Sequence, residues 1–255
     1  GSFSMGTPDD YTGPHEDDEH PQRAVDLPGF WIGRYEVTRG EFRQFINAGG
    51  YLPGPGGAKN PNWSDAGWAW KVSKGATQPH YWDAVQDWGT GSFTQTDNHP
   101  VTGVTYYEAE AYCNWVGGHL PTEAQWEKAA RWTGTSVTQY PWGDTWDVEK
   151  CNGAYDSNPA GGGNIKYQTA PVGSYAAGAN ASACYDVAGN VWEWCQDWYK
   201  SYPGSTAPFD YTGQYHIIRG GGWNCSGLDG RCAYRNYCDL DYNDYVYGLG
   251  FRLAR

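Results

Sequence analysis

Three segments of the chain carry the same helix-start signature, and long stretches rich in Gly, Asn, Asp and Pro separate them. In each signature a Thr is followed three residues later by Glu or Gln, so that each side chain accepts a hydrogen bond from an N–H group that the helix leaves unpaired. The signatures begin at Thr38, Thr105 and Thr122. They predict two to three helices in a domain with much irregular chain.

The segment after Thr105 also has helical periodicity. Ala109, Tyr112, Cys113 and Val116 recur at the spacing i, i+3, i+4, i+7, which places them on one apolar face. Gly residues follow and end the helix. Short strands are predicted at residues 24–27, 30–35, 215–219 and 248–253.

Aromatic side chains are unusually frequent for the apolar content. The chain has 15 Trp, 21 Tyr and 36 Gly, whereas hydrophobic residues make up only 39%. The core must therefore be built from aromatic rings and turns, which excludes an ordinary helical bundle. Because so many rings are available to hold them, we expect the long loops to be ordered.

The charge balance excludes some classes of partner. Against 17 Lys and Arg stand 29 Asp and Glu, so the formal net charge is −12. The resulting field repels nucleic acid and anionic lipid. No window has the apolar length of a membrane span, and residues 1–20 lack the basic flank and apolar stretch of a secretion signal. We therefore expect neither nucleic-acid binding nor membrane insertion.

Seven cysteines cannot all pair with one another, which excludes a pure disulfide scaffold. Four of them lie outside the C-terminal segment and are interpreted as small buried hydrophobes. Their number permits two disulfides, but the sequence does not assign the pairs. These four are Cys113, Cys151, Cys184 and Cys195.

Eight sequence blocks follow one another in a recognisable order. They are GSFSMG (1–6), GFWIGRYEVTRGEFRQF (29–45), HPVTGVTYYEAEAYCNW (99–115), LPTEAQWEKAAR (120–131), YPWGD (140–144), TAPVGSY (169–175), DVAGNVWEW (186–194) and RGGGWN…GLGFRLAR (219–255). From end to end they resemble the formylglycine-generating enzyme (sulfatase-modifying factor) family. The resemblance implies one α+β domain over residues 1–255 with a C-type-lectin-like fold, a small antiparallel sheet and structural calcium.

The resemblance also implies an oxidation of substrate cysteine with copper held by two cysteines after an RGGS motif. Here the Ser of that motif is Gly222, and Cys225 stands where the first copper ligand would be. Gly230 takes the place of the second, and Cys232 comes two residues late. Because a two-thiolate site needs both sulfurs to converge, the sequence predicts no copper and no family chemistry.

A second resemblance accounts for these departures. Some proteins with this fold are variable proteins of diversity-generating retroelements, in which randomised adenines turn Asn codons into codons that never encode Lys, Glu, Gln, Met or Trp. Residues 224–247 contain none of these five types. We therefore interpret 222–247 as a diversified ligand-binding segment, in which stray cysteines are exposed by-products of randomisation rather than metal ligands.

Tyr and short polar residues alternate in this segment, a mixture typical of binding surfaces. Trp223, Arg235, Phe251 and Arg252 are expected to be buried framework. The predicted ligand-binding residues are Asn224, Cys225, Ser226, Leu228, Asp229, Gly230, Cys232, Tyr237, Cys238, Asp239, Tyr242, Asn243, Asp244, Tyr245 and Tyr247.

Two calcium sites are implied by the resemblance. One set combines the carboxylates of Asp186 and Glu193 with the carbonyls of Gly189 and Val191, the oxygen donors that a hard cation prefers. The alternative is that these carboxylates only cap local N–H groups. The other set consists of Asn152, Gly153, Asn164 and Lys166.

Together these observations predict a non-enzymatic, monomeric binding protein for a macromolecular ligand, a protein at a cell or phage surface. Its expected location is a cell surface, the extracellular space or a virion rather than the cytoplasm. The alternative is a copper- or iron-dependent oxidoreductase of the formylglycine-generating or sulfoxide-synthase type. A third interpretation is a structural calcium-binding accessory domain.

Overall fold

The computed structural model describes residues 1–13, 15–80, 82–83, 86–87, 92–93, 95–153, 168–206, 208–241 and 248–255. Within these ranges lie four α-helices: α1 (Arg39–Asn47), α2 (Asp65–Lys74), α3 (Tyr106–Trp115) and α4 (Glu123–Arg131). The strands there are β1 (Ser2–Met5), β2 (Arg23–Asp26), β3 (Gln86–Asp87), β4 (Ser92–Phe93), β5 (Trp192–Trp198), β6 (Tyr215–Arg219), β7 (Asn236–Asp239) and β8 (Leu249–Gly250). In this described part of the chain no helix is long and apolar enough to cross a membrane.

The three predicted helix starts are confirmed. In α1, α3 and α4 the cap Thr and the Glu or Gln three residues later accept each other's backbone N–H groups. The expectation of two to three helices was wrong, because α2 starts without a complete signature. Its cap, Ser64, accepts from the Gly67 N–H with no acidic or amide side chain to reciprocate, and Gly75 ends it with a φ of 63°.

A four-stranded sheet lies at the centre of the fold, in the order β7-β6-β5-β8. β6 runs antiparallel to β5 and β7, and β8 runs parallel to β5. The prediction for 215–219 is confirmed, whereas the strand predicted at 30–35 is wrong, because Ile32 forms only an isolated bridge with Ala254. β5 escaped prediction because its first four residues are all buried, so polar and apolar residues do not alternate.

Aromatic rings build the main core, as predicted. Phe42 of α1 stacks on Tyr112 of α3 with ring centroids 5.3 Å apart, and Tyr112 meets the edge of Phe251 at 5.5 Å. Tyr51 and Trp63 extend this cluster through the loop between α1 and α2. The aromatic composition therefore supplies both the core and the anchoring of long loops.

Buried ion pairs connect the C-terminal strands to distant parts of the chain. Arg231 donates to both carboxylate oxygens of Glu19, at 2.7 and 2.5 Å. Three more buried arginines bind carboxylates in α4 and β5, the pairs being Arg219–Glu127, Arg235–Glu123 and Arg252–Glu193. Such pairs fix geometry because either charge left alone in the interior is costly. They hold residues 219–235 firmly against α4 and the N-terminal segment.

Glu108 is a fully buried carboxyl group in the first turn of α3, where it accepts a hydrogen bond from the Tyr51 hydroxyl at 2.6 Å. Burial raises the pKa of Glu108 from 4.5 to about 7. Between these values the folded chain holds a proton that the unfolded chain has lost. The stabilisation from this proton is therefore complete below about pH 4.5 and is lost as the pH rises through 7.

We expect the difference in unfolding free energy between wild type and Glu108→Gln to change by roughly 3 kcal/mol between about pH 4 and about pH 8. Gln keeps the cap but cannot titrate. Denaturant unfolding at several pH values measures this difference. Glu41→Gln, at the matching exposed position of α1, is the control. A pH-independent difference for Glu108→Gln would contradict the prediction.

Candidate functional site

Cys225 lies in a tight turn that two glycines make possible. Gly220 and Gly221 follow β6 with φ values of 91° and 74°, a conformation that favours glycine. A Cβ on Gly221 would lie only 3.0 Å from the Cys225 Sγ. The Cys225 N–H donates to the Gly222 carbonyl at 2.8 Å, and the residue is 2% exposed. The expectation of an exposed, incidental thiol is therefore wrong.

A second thiol lies beside the first. Cys151 is also buried, at 3% exposure, and its sulfur accepts a hydrogen bond from the Gly153 N–H. The position that a Cβ on Gly153 would occupy is 3.1 Å from the Cys151 Sγ and 3.3 Å from the Cys225 Sγ. Burial raises the pKa of Cys225 well above its usual range and that of Cys151 to about 12, so both thiols are protonated at neutral pH. Sequence spacing gave no signal for this pair.

Trp146 explains why no cysteine stands at position 230. A Cβ on Gly230 would lie 2.7 Å from the Trp146 ring, which also covers Gly227. Cys232 is directed elsewhere: it packs beside Trp126 in the cluster beneath α4. Cys232 and Cys225 therefore belong to different parts of the interior.

Aromatic side chains cover the outer side of the Cys225 loop. The rings of Tyr140 and Trp146 are 5.2 Å apart, and Trp142 stacks on Tyr140 at 5.8 Å. The Tyr140 hydroxyl donates to the Gly227 carbonyl at 2.8 Å. This aromatic wall, formed by Tyr140, Trp142 and Trp146, limits the access of water to the loop beneath it.

The predicted binding residues that the structure describes do not form one exposed face. Tyr237 is 44% exposed, but its ring packs on Tyr199 at 4.4 Å. Among the others, Asn224 and Asp239 are exposed, Ser226, Leu228 and Asp229 are half-buried, and Cys225, Gly230, Cys232 and Cys238 are buried. The expected framework residues Trp223, Arg235, Phe251 and Arg252 are buried, as predicted. Tyr242, Asn243, Asp244, Tyr245 and Tyr247 lie outside the described residues.

The backbone of Asn190 holds both cysteine-bearing segments. Its N–H donates to the Asn152 carbonyl and its carbonyl accepts from the Trp223 N–H, both at 2.8 Å. The preceding Gly189 has a φ of 85° and donates to the Gly220 carbonyl at 2.9 Å. A Cβ on Gly189 would lie 2.6 Å from the Asn152 carbonyl oxygen. The Gly-Asn pair thus sets the distance between the segments that carry Cys151 and Cys225.

The Asn190 side chain fixes this arrangement from within. Its Oδ1 accepts from the Ala170 N–H at 2.8 Å and from the Asn152 amide at 3.0 Å, and its Nδ2 donates to Glu36 at 2.6 Å. Glu36 also accepts from the Val191 N–H at 3.3 Å. Burial, followed by the nearby Asp186 and Glu193 carboxylates, raises the pKa of Glu36 well above its usual range. Neither Glu36 nor Asn190 belongs to a site predicted from the sequence.

The calcium set expected at 186–193 stays a prediction, and the structure pairs one of its two carboxylates, Glu193, with a buried arginine. The two Glu193 carboxylate oxygens each accept from Arg252 at 2.6 Å, and Oε2 also accepts from the Trp126 indole at 2.8 Å. Asp186 accepts from the Gly173 N–H at 2.6 Å. Arg252 therefore places a positive charge beside one of the carboxylates expected to bind calcium.

The other calcium set stays a prediction, because Asn164 and Lys166 lie outside the described residues. Asn152 and Gly153 belong to the segment beside Cys225 and are described. In the described ranges no group of three or more His, Cys, Asp and Glu side chains is arranged to hold a metal ion. All seven cysteines are described and free, so neither of the two possible disulfides is present.

Residues 1–255 match the family model described as the sulfatase-modifying factor enzyme 1-like domain. The hercynine oxygenase of Mycolicibacterium thermoresistibile is 38% identical over 239 residues, covering 87% of this chain and 50% of that protein. The formylglycine-generating enzyme of Thermomonospora curvata is 35% identical over 258 residues, covering 88% of this chain and 80% of that protein. The chain thus spans about half the length of the first relative and most of the second.

Among solved structures, Treponema denticola variable protein 1 superposes with a TM-score of 0.64. The alignment covers 99% of this chain and 91% of that one, at 23% identity. This likeness supports the predicted fold class, an α+β fold with a small, mainly antiparallel sheet. At this identity it shows the fold alone.

Proposed function

We propose, from the premise that this chain belongs to the sulfatase-modifying factor enzyme 1-like domain family, that it is an oxidoreductase whose working group is the Cys225 thiol. One observation carries the proposal: Cys225 is buried in a glycine-built turn with a second sulfur beside it. Residues of a diversified binding surface are exposed to the ligand, whereas the Cys225 thiol is enclosed. The substrate class we propose is a cysteine-containing peptide.

The prediction of a non-enzymatic binding protein is wrong. Relatives that match most of this chain at 35 to 38% identity are named as enzymes, a hercynine oxygenase and a formylglycine-generating enzyme. The prediction depended on an exposed Cys225, which is buried, and on one shared face of binding residues, which the described members of the set do not form. The missing second cysteine at position 230 was read as lost chemistry, although another sulfur lies within reach.

The residues around Cys225 fit copper, the metal that the family resemblance implies. Sulfur is a soft donor of the kind that selects Cu(I), and Gly153 and Gly221 keep the space beside the Cys225 sulfur free of side chains. Copper bound there would supply the one-electron chemistry that a thiol lacks. An iron site built from His and carboxylates has no counterpart in the described ranges, so we favour copper.

The chain's own residues perform three tasks in this proposal. Cys225 would hold copper through its sulfur, and without the metal it keeps its proton because burial raises the pKa of the thiol. Tyr140 and Trp146 shield the loop from water, and Asn190 positions the turn through its bond to Trp223. A shielded, prepositioned site strengthens every electrostatic interaction within it.

For an aldehyde product the reaction balances with dioxygen and a thiol reductant as co-reactants. The substrate carbon changes from CH2–SH to CHO and releases H2S. One oxygen atom enters the aldehyde and the other leaves as water, while two reductant thiols form a disulfide. The proposal thus needs a reducing thiol in the assay as well as air.

Cys225→Ser is expected to lower peptide oxidation by at least about 100-fold, because it removes the metal-binding sulfur. The assay incubates reduced, copper-loaded protein aerobically with a cysteine-containing peptide and dithiothreitol, and follows aldehyde formation by mass spectrometry. Cys232→Ser is the matched control, since this cysteine is equally buried in a different cluster. Equal rates for Cys225→Ser and wild type would contradict the proposal.

A second candidate is an oxygenase acting on hercynine, since a relative that is 38% identical to this chain carries that name. This chain spans about half of that relative. The residues that the relative needs for its activity can therefore lie outside the matched half. Turnover of hercynine without turnover of the peptide would favour it.

A further inference from the structure

We infer that Cys151 is the second sulfur of the Cys225 site and that the two side chains together bind one Cu(I). The inference rests on the proposed function for the role of Cys225, and it adds a residue that lies outside the RGGG segment. It replaces the pair of closely spaced cysteines that the family resemblance implies.

The geometry brings the two sulfurs to a common point. Both lie within 3.4 Å of the place where a Cβ on Gly153 would be, and Gly221 leaves the Cys225 sulfur open on another side. Any side chain at Gly153 would press against both sulfurs. Two glycines therefore keep open a space that two soft donors line.

The surrounding structure fixes both donors. The Asn190 backbone is hydrogen-bonded to Asn152, which follows Cys151, and to Trp223, which lies two residues before Cys225. The Asn152 amide donates further to the Gln168 carbonyl at 2.9 Å. Metal sites need donors that are held in position before the metal arrives, and this network holds both.

Packing separates Cys232 from Cys225, so these two cysteines do not form the alternative pair. Cys232 lies in the cluster beneath α4, where its backbone N–H donates to the Gln139 carbonyl at 2.8 Å. Trp146 fills the space beside Gly230. Cys225 therefore has Cys151 as its sulfur neighbour, while the C-terminal segment supplies it with none.

Binding of Cu(I) would remove the protons of both thiols and leave the oxidation states of copper and sulfur unchanged. Two thiols release two protons, two Cu–S bonds form, and the site gains a net charge of −1 from neutral thiols and one Cu(I). No oxidant or reductant is consumed. A site with only two thiolate donors suits Cu(I) better than Zn(II), because structural zinc takes four ligands.

The test is an anaerobic titration of the reduced full chain with Cu(I) in competition with bathocuproine disulfonate. Wild type is expected to bind one Cu(I), and X-ray absorption of this complex is expected to show two sulfur ligands. Cys151→Ser and Cys225→Ser are each expected to weaken binding by at least about 100-fold. Cys232→Ser is the matched control and should retain wild-type affinity.

Gly153→Ala tests the same site without touching a sulfur. Its methyl group would lie 3.1 Å and 3.3 Å from the two sulfurs, closer than ordinary van der Waals contact, so Cu(I) affinity should fall by at least about 100-fold. Gly248→Ala is the control, because its nearest contact would be an ordinary 3.7 Å. Near-ultraviolet circular dichroism verifies that each variant is folded.

The outcomes separate this inference from the proposed function. If Cys225→Ser loses copper while Cys151→Ser and Gly153→Ala keep it, the inference is overturned and the role of Cys225 stands. Loss in Cys232→Ser alone, or one sulfur in the wild-type spectrum, also overturns the inference. If wild type binds no Cu(I), both the inference and the copper role of Cys225 fail.

Discussion

Asn190→Ala is expected to lower the free energy of unfolding by about 4 kcal/mol or more. The amide makes four hydrogen bonds in the interior, one of them to the Glu36 carboxylate at 2.6 Å. Its loss leaves the Ala170 N–H, the Asn152 amide and Glu36 without this partner, and each such group costs about 1–3 kcal/mol. Ala also tolerates the φ of 66° less well than Asn does.

Chemical denaturation measures this effect, and Asn114→Ala provides the matched control. The Asn114 amide makes one exposed hydrogen bond, to the Asn62 carbonyl at 2.8 Å, so its replacement should cost less than about 1 kcal/mol. A loss below about 2 kcal/mol for Asn190→Ala would mean that water or a rearranged backbone replaces the amide. Cu(I) affinity should fall in the same variant, since Asn190 holds both cysteine-bearing segments.

The second large effect is expected for Arg252→Met, at about 3–5 kcal/mol of unfolding free energy. Arg252 is fully buried and donates to both oxygens of Glu193, and its guanidinium also donates to the Gly33 and Tyr185 carbonyls. Met fills much of the volume but leaves the Glu193 charge without its cation. The double variant Arg252→Met/Glu193→Gln should recover part of the loss, because it removes that charge.

Arg43→Met is the control for this prediction. Arg43 pairs with Asp97 at 2.5 Å on the exposed surface, where an ion pair contributes about 0–1 kcal/mol. Adding calcium distinguishes the two accounts of Glu193. If calcium stabilises wild type and this effect disappears in Glu193→Gln, the carboxylate binds the ion and the pairing with Arg252 is not its main role.

The parts of the fold that local rules govern were predictable. The Thr38, Thr105 and Thr122 caps use contacts within four residues, so the sequence displays them directly. The strand at 215–219 is apolar enough to be recognised by itself. Helix α2 was missed because its cap lacks the Glu or Gln that completes the helix-start signature. Strand β5 was missed because its first four residues are all buried, so it lacks the regular alternation of polar and apolar residues.

Only one of the two cysteines of the candidate site, Cys225, was predictable from the sequence. Cys225 was located through the RGGG segment, because the family blocks fix its position along the chain. Cys151 approaches it through a tertiary contact, set by Asn190 and by the absence of a side chain at Gly153. No spacing rule connects residues that only the folded backbone brings together. The pairing of Glu193 with Arg252 was missed for the same reason, since the two residues are remote in sequence.

The parallel pairing of β8 with β5 determines when this chain can complete its core. During synthesis β5 leaves the ribosome well before Leu249, so Glu193 emerges while Arg252 is still unmade. Burying that carboxylate early would place a charge in the interior without its cation. The nascent domain must therefore stay open along this edge until the C-terminal residues arrive. Its folding rate is then limited by a slow, long-range closure rather than by the rapid formation of four short helices.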